Sequence, residues 1–452
     1  MARNTLTRRD FVRWSVMAAG ATALAACSAP APTEAPSAAP TAAPGSTTAP
    51  AKPTPAPVKG TLRVMTFFAD NDPTVEKGVI AEFQKAFPDV KVDAEIISFG
   101  DLFTKLKTLI GGGNPPDVAS LNFENLHAYV AEKSLAELDP FIQRDNYDMT
   151  QLFEASVNMH RVGGRQYGMP ATFSDVVLYY NKNLFDKAGI PYPDKTWNLD
   201  KVLEVGKQLT VDQNKDGIID QFAYVLPWFP ICLAQYGGDV FNADKTKCAL
   251  GEPAALEGLN MMTTFCVKEK IAPTRVDIAN QGDADRFIAG TIAMLPTGPW
   301  MINKFQAEAT SFDWDVADLP GGKKQATHTY GNSYAILAQA KNKDAAWEFL
   351  KVACGEVGGH IRQANGYELS PVKKVMENEF LKGLEGKKPK SAQVFLDAMN
   401  YAVLPPYHAH WSEIHDTAIW PELELALNGK QTMEDAVAKI VPAVDKMLAQ
   451  FS

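Results

Sequence analysis

The stretch TLRVMTFFAD at residues 61–70 decides how the rest of the chain is read. Leu62, Val64 and Thr66 fall on one side of an alternating pattern, which predicts a strand from Thr61 to Phe68. Val79, Ile80, Phe83 and Phe87 then recur at helical spacing until Pro88-Asp89 stops them. Val90, Val92, Ala94 and Ile96 alternate as a second strand, and Leu102, Leu106, Leu109 and Ile110 form an amphipathic helix closed by Gly111. Pro115-Pro116-Asp117 introduces a third strand, Val118 to Leu121. A strand, helix, strand, helix, strand order implies right-handed crossovers and a mainly parallel sheet of the α/β class. In open sheets of this kind ligands bind beyond the carboxyl ends of the strands. That rule points to Phe67–Asp72 and to Asn122–Asn125.

The chain in front of this sheet reads differently. Thr7-Arg8-Arg9-Asp10-Phe11-Val12-Arg13 precedes a short apolar run from Trp14 to Leu24, then Ala25-Ala26-Cys27. The run is too short to span a bilayer and reads as an export signal. Its paired arginines resemble a twin-arginine signal, and Leu24-Ala25-Ala26-Cys27 resembles a lipobox, in which the signal is cut before a cysteine that carries lipid. Residues 1–27 are thus expected to be a lipoprotein signal with Cys27 as the anchor, on the outer face of the cell membrane; a plain cleavable signal is the alternative. Residues 28–57 are almost entirely Ala, Pro, Ser, Thr and Gly, with no apolar periodicity, and are expected to form a disordered tether.

From Lys59 the composition is that of a folded body. Over the whole chain 46 % of residues are hydrophobic and 21 % charged, with a net charge of −9. Nearly four hundred residues exceed what one core usually holds, so two lobes are expected. The negative balance, with no long basic run beyond the signal, excludes nucleic acid as a partner. Cys232, Cys248, Cys266 and Cys354 match no zinc spacing; disulfides are allowed in an exported chain but not required.

Four further segments carry a resemblance. They are Gly164-Arg165-Gln166-Tyr167-Gly168-Met169-Pro170 with Leu178-Tyr179-Tyr180-Asn181-Lys182-Asn183-Leu184-Phe185; Phe287–Met294 running into Gly298-Pro299-Trp300; Leu319-Pro320-Gly321-Gly322 with Ala345–Leu350; and Trp411-Ser412-Glu413-Ile414 before Gly429-Lys430-Gln431-Thr432. In this order they resemble the bacterial extracellular sugar-binding proteins of ABC importers, including the maltose-binding type. The resemblance implies a two-lobed periplasmic-binding-protein-like fold (type II) with an interlobe ligand cleft and a hinge. It places residues 59–170 plus 321–367 in lobe 1 and 176–315 plus 372–452 in lobe 2. It implies no cofactor and no covalent chemistry. The implied partners are a small-molecule carbohydrate and a membrane permease, with the chain itself expected to be a monomer.

A neutral sugar offers apolar ring faces and many hydroxyls, so it calls for aromatic platforms and fixed planar polar groups. By resemblance Trp300 and Trp411 are the stacking platforms, Glu124 an acidic contact, and Phe173-Ser174 a hinge contact. Trp228, Tyr236 and Asp239 belong to a stretch expected to face the cleft, with core packing the alternative. Phe67, Tyr330, Asn332 and Tyr367 complete the expected set, and Arg362 is expected to meet Glu124 or a hydroxyl. Leu121 and Asn122 stand where the maltose-type pattern often has an aromatic, which argues against maltose itself.

Asp212, Asn214, Asp216 and Asp220 resemble the start of a calcium loop, but Ala223 occupies the position of the closing bidentate Glu, so a solvated acidic turn is preferred. His408, His410, Glu413 and His415 suggest a metal, yet do not share one helical face. Gly111-Gly112-Gly113 follows a helix and is therefore a terminator, not a nucleotide loop. The rival readings are a secreted glycan hydrolase, for which no catalytic carboxylate motif is found, a receptor for a non-sugar polar solute, and an adhesive scaffold.

Overall fold

The computed structural model describes residues 58–277 and 281–451; the signal, Cys27 and the Pro/Ala-rich tether lie outside the described residues. The opening strands form as the sequence predicts. β1 (Gly60–Thr66) pairs in parallel with β2 (Val90–Ile96) along its whole length, and also with β3 (Val118–Asn122). The crossovers are α1 (Pro73–Ala86) and α2 (Phe99–Gly111). Asp72 opens α1 by accepting the Thr74 amide at 3.2 Å, with Pro73 at its first position; Ser98 Oγ does the same for Asp101 at 3.3 Å in α2. Each helix turns one apolar stripe inward: Val79, Phe83, Leu102 and Leu106 are fully buried in the first core.

α3 (Phe123–Ala131) starts directly at the end of β3, and the chain later returns as β4 (Gly168–Asp175). It then leaves for a second sheet made of β5 (Val177–Asn181), β6 (Phe222–Tyr224), β7 (Ile292–Thr297) and β8 (Trp314–Ala317), in the order β8-β5-β7-β6. Between β6 and β7 lies α4 (Phe229–Tyr236). β9 (Thr327–Ile336) re-enters the first sheet, followed by α5 (Glu356–Ala364), and β10 (Ala402–Val403) edges it. The first sheet has the order β10-β9-β3-β1-β2, with β4 also paired to β9.

The expectation of a mainly parallel sheet holds only for part of the molecule. β9 runs antiparallel to both β3 and β4, and in the second sheet β5 is antiparallel to both neighbours. A local βαβ unit forces parallel pairing, whereas a strand arriving from the other lobe is under no such constraint.

Each sheet carries its own core. Leu62, Val64, Trp347 and Phe349 belong to the first; Tyr224, Phe229, Leu259, Ile414 and Ile440 fill one side of the second. A third cluster, with Tyr179, Phe305, Trp314 and Phe395, covers the second sheet's other face. Two of the segments joining the lobes run side by side: Phe173 and Leu369 exchange backbone hydrogen bonds of 3.0 Å in both directions. All four cysteines of the described body are free thiols.

Candidate functional site

A cavity of about 740 Å³ opens between the carboxyl ends of the first sheet and the second lobe. That volume suits a ligand buried over most of its surface. The end of β1 supplies Phe67, Asp70 and Asn71, and the start of α3 supplies Asn122, Glu124 and Asn125. Ser120 Oγ accepts the Phe67 amide at 2.9 Å, which holds the strand end in place. Phe67 meets Phe99 edge-to-face at 5.1 Å, an apolar patch on this side of the cavity.

The facing side is aromatic. Trp228 precedes α4, Trp300 follows Gly298-Pro299, and Trp411 opens α6 (Trp411–Ile414). Trp228 stands nearly perpendicular to Trp411, with centroids 5.9 Å apart and planes at 84°; Trp300 meets Tyr330 at 6.0 Å and 83°. Rings set at right angles present faces in more than one direction. Trp300 owes its place to Gly298, because a Cβ at residue 298 would lie 2.0 Å from the indole. Tyr179 donates its hydroxyl to the Gly298 carbonyl at 2.9 Å and fixes that turn.

Two carboxyls line the cavity without a cationic partner. Glu124 is buried and accepts from Asn122 Nδ2 at 2.6 Å, while Asn125 donates to Asn122 Oδ1 at 2.8 Å. Burial pushes the Glu124 carboxyl up to about 7, against the smaller opposing pull of its backbone and Asn122 hydrogen bonds. Glu368 lies beside the crossing segments. Ser174 Oγ donates to it at 3.3 Å and Asn332 Nδ2 at 3.4 Å, and burial again raises its carboxyl to about 7. Its backbone has φ +47°, a left-handed conformation that aims a non-glycine side chain where regular structure would not.

Of the residues expected from sequence, Phe67, Glu124, Ser174, Trp228, Trp300, Tyr330, Asn332, Tyr367 and Trp411 all line this one cavity. Four stand elsewhere. Arg362 is sealed inside lobe 1, where its guanidinium donates to Glu76 at 2.9 Å and to the Ala353 carbonyl at 2.6 Å. It therefore meets neither Glu124 nor the cavity. Tyr236 packs against Gly322, where a Cβ would be 2.6 Å from its ring. Asp239 Oδ1 accepts the Val240 amide at 2.6 Å, outside the wall. Phe173 is buried against Phe153 at 5.8 Å behind the crossing strand.

Glu368, Thr297 and Asp416 also line the wall and were not among the expected residues, whereas Asn71 falls within Phe67–Asp72, the strand end to which the sheet rule pointed. Glu368 follows Tyr367, but nothing in the local sequence marks it as a buried carboxyl. The calcium-like turn closes on its own backbone: Asp212 accepts the Lys215 and Gly217 amides at 2.7 and 2.9 Å, and Asp220 accepts that of Gln213 at 2.7 Å. His408, His410, Glu413 and His415 do not converge; His410 stacks on Phe451 at 3.6 Å and His415 reaches Asp416 at 2.7 Å. Among the described residues no group of three His, Cys, Asp or Glu is placed to hold a metal.

Comparison with known proteins adds three findings. The family described as bacterial extracellular solute-binding protein matches residues 68–357. An ABC substrate-binding protein of Listeria monocytogenes, Lmo0181, solved in complex with cycloalternan, is 32 % identical with a TM-score of 0.81, over 86 % of this chain and 99 % of that one. A galactooligosaccharide-binding protein of Bacillus subtilis is 23 % identical over 329 residues, 70 % of this chain and 74 % of that protein. A binding protein of Brucella abortus is 28 % identical over 282 residues, 60 % of this chain; the match spans 66 % of that protein, just under two thirds of its length.

Proposed function

Because the chain belongs to the bacterial extracellular solute-binding protein family, we propose that it captures a sugar or oligosaccharide between its two lobes and delivers it to the permease of an ABC importer. The observation that carries this reading is the composition of the cavity: perpendicular Trp and Tyr rings on one side, and Asn and Glu groups held by hydrogen bonds on the other. Ring faces stack on the indoles while hydroxyls meet the fixed polar atoms. A relative named for galactooligosaccharide binding and one solved in complex with cycloalternan support the same class of ligand.

The mechanism is a shift of population between open and closed lobes, driven by contacts that the ligand makes with both walls at once. The crossing strands at Phe173 and Leu369 act as the hinge. The division into 59–170 plus 321–367 and 176–315 plus 372–452 belongs to this reading, as do the wall residues taken as ligand contacts. The chain acts as a receptor and performs no covalent step; it works as a monomer held on the outer membrane face by lipid on Cys27, with residues 28–57 as its leash.

Thermal unfolding against a panel of oligosaccharides tests the receptor. A ligand at one hundred times its dissociation constant adds about 2.7 kcal/mol to the folded state, so a few related sugars should raise the melting temperature. No shift with any sugar, in protein freed of carried-over ligand, overturns the glycan reading. Mass spectrometry of the membrane-bound protein tests the anchor, which requires a diacylglyceryl-modified amino-terminal Cys27.

A further inference from the structure

The cleft wall holds four acids, Asp70, Glu124, Glu368 and Asp416, and among its described residues no Lys or Arg; the wall imidazole, His415, faces Asp416 at 2.7 Å. Two of these acids are deeply placed: Glu368 is 2 % exposed and Glu124 is 7 % exposed. Their hydrogen-bond partners, Asn122, Ser174 and Asn332, are neutral donors. The cations nearest to the wall are already committed. Arg362 forms its ion pair with Glu76 and lies against the Phe68 ring, and Lys304, which faces Asp70, is shared between Asp285 and Glu308. Tyr367 also faces Glu368, and Tyr330 faces Glu124; neither can bring positive charge.

We infer that Glu368, together with Glu124, is a specificity-determining residue that makes the cleft reject anionic solutes, so that the ligand is an uncharged glycan and not a uronate or a phosphate ester. The inference rests on the glycan reading above and narrows it. An entering carboxylate or phosphate finds no Lys or Arg on the wall, and the wall imidazole already faces Asp416, while two carboxyls meet it in a water-poor space where like charges are weakly screened. It can be accommodated only if those carboxyls take up protons. A neutral hydroxyl has no such requirement, since a carboxylate accepts its proton and the Asn side chains supply donors. Rejection by unpaired like charge also discriminates more sharply than a missing attractive contact.

The test is equilibrium titration by tryptophan fluorescence on the full chain in detergent. The probes are matched pairs: neutral oligosaccharides, the same molecules with one primary alcohol oxidised to a carboxylate, and glycerol 3-phosphate. At pH 8 the oxidised member of a binding pair should be about a hundredfold weaker than its parent. At pH 6 the gap should shrink about tenfold, because Glu124 and Glu368, with carboxyls raised to about 7, take up protons there while the probe stays anionic. Glu368→Gln should narrow the gap at pH 8 and flatten its pH dependence. Glu124→Gln gives the same readout if the first variant does not fold.

Tight binding of an oxidised member or of glycerol 3-phosphate overturns the inference and leaves the receptor reading standing. A gap indifferent to pH and to both substitutions also overturns it, because exclusion would then be steric. If no member of any pair binds, the glycan reading falls and this inference falls with it.

Discussion

Glu76 and Glu368 are both glutamates without access to solvent, at 0 % and 2 % exposure, yet the molecule treats them in opposite ways. Glu76 sits in the lobe 1 core with Arg362 wrapped around it and the Tyr334 hydroxyl donating at 2.6 Å. Burial disfavours the Arg362 charge, but the adjacent Glu76 carboxylate outweighs it and stabilises the guanidinium further. Glu368, at the hinge, has only neutral donors. A buried acid with its cation is a piece of architecture; a buried acid facing a cavity without one is a charge kept available for a ligand.

The harshest way to break this contrast is to leave Glu76 without its partner. Arg362→Ala strands a carboxylate between α1 and α5 and should cost about 3–5 kcal/mol of stability in denaturant unfolding. Ligand affinity should change little in whatever fraction remains folded, because Arg362 does not reach the cavity. A large affinity loss at unchanged stability would return Arg362 to the binding site.

The pH dependence of stability comes next. For Glu124 and Glu368 the folded carboxyl is raised from 4.5 to about 7. Between those values the folded state binds more protons at these two groups than the unfolded one, so their contribution to stability is full below about 4.5 and is lost as pH rises through about 7. Each group contributes about 3 kcal/mol to that decline. Burial of His127, His160 and His328 lowers their ring pKa values and adds a contribution of opposite sign that grows as pH rises toward 6.5, so the Glu368 contribution is read as the difference between the unfolding of the parent and of Glu368→Gln from pH 5 to pH 8. An unchanged slope would mean that Glu368 is solvated in the resting protein.

Removing a platform acts on binding instead of folding. Trp300→Ala should weaken the best sugar about thirtyfold, near 2 kcal/mol, by titration calorimetry. Trp411→Ala should match it in affinity but lower stability more, since Trp411 is buried within the lobe 2 core whereas Trp300 is only partly buried at the margins of the neighbouring clusters. Equal stability losses for both would show that Trp300 is a packing residue.

Trp300 and Trp411 were legible because each sits in a short local pattern, and Gly298 supplies the physical reason for one of them: only a glycine leaves room for the indole. The three parallel strands were legible because alternation and helical periodicity are local properties. Arg362 was misplaced for the opposite reason. Its partner lies 286 residues away, and no spacing near Arg362 announces it. Glu368 was missed because what distinguishes it is that no cation is bonded to it, the Arg362 charge it feels being held by Glu76, and this becomes visible only after the chain is folded. The antiparallel return of β9 is likewise decided by tertiary arrangement, not by its own alternation.

The acidic turn at 212–220 marks the mild end of the contrast, where carboxylates need neither a cation nor a proton. Asp212 is partly exposed to water and uses both oxygens to accept amides from Lys215 and Gly217, so its charge is satisfied by solvent and by backbone dipoles. Asp212→Ala should therefore cost about 1 kcal/mol, the usual value for a lost side-chain cap, and leave sugar affinity untouched. Millimolar calcium should leave the melting temperature of the parent protein unchanged, because the loop lacks the bidentate carboxylate that would complete an ion's shell. A calcium-dependent rise that disappears in Asp212→Ala would show that these oxygens exchange backbone for metal. The turn would then join Glu76 as an acid with a cation of its own, in contrast to Glu124 and Glu368, the buried carboxyls of the cleft, which have none bonded to them.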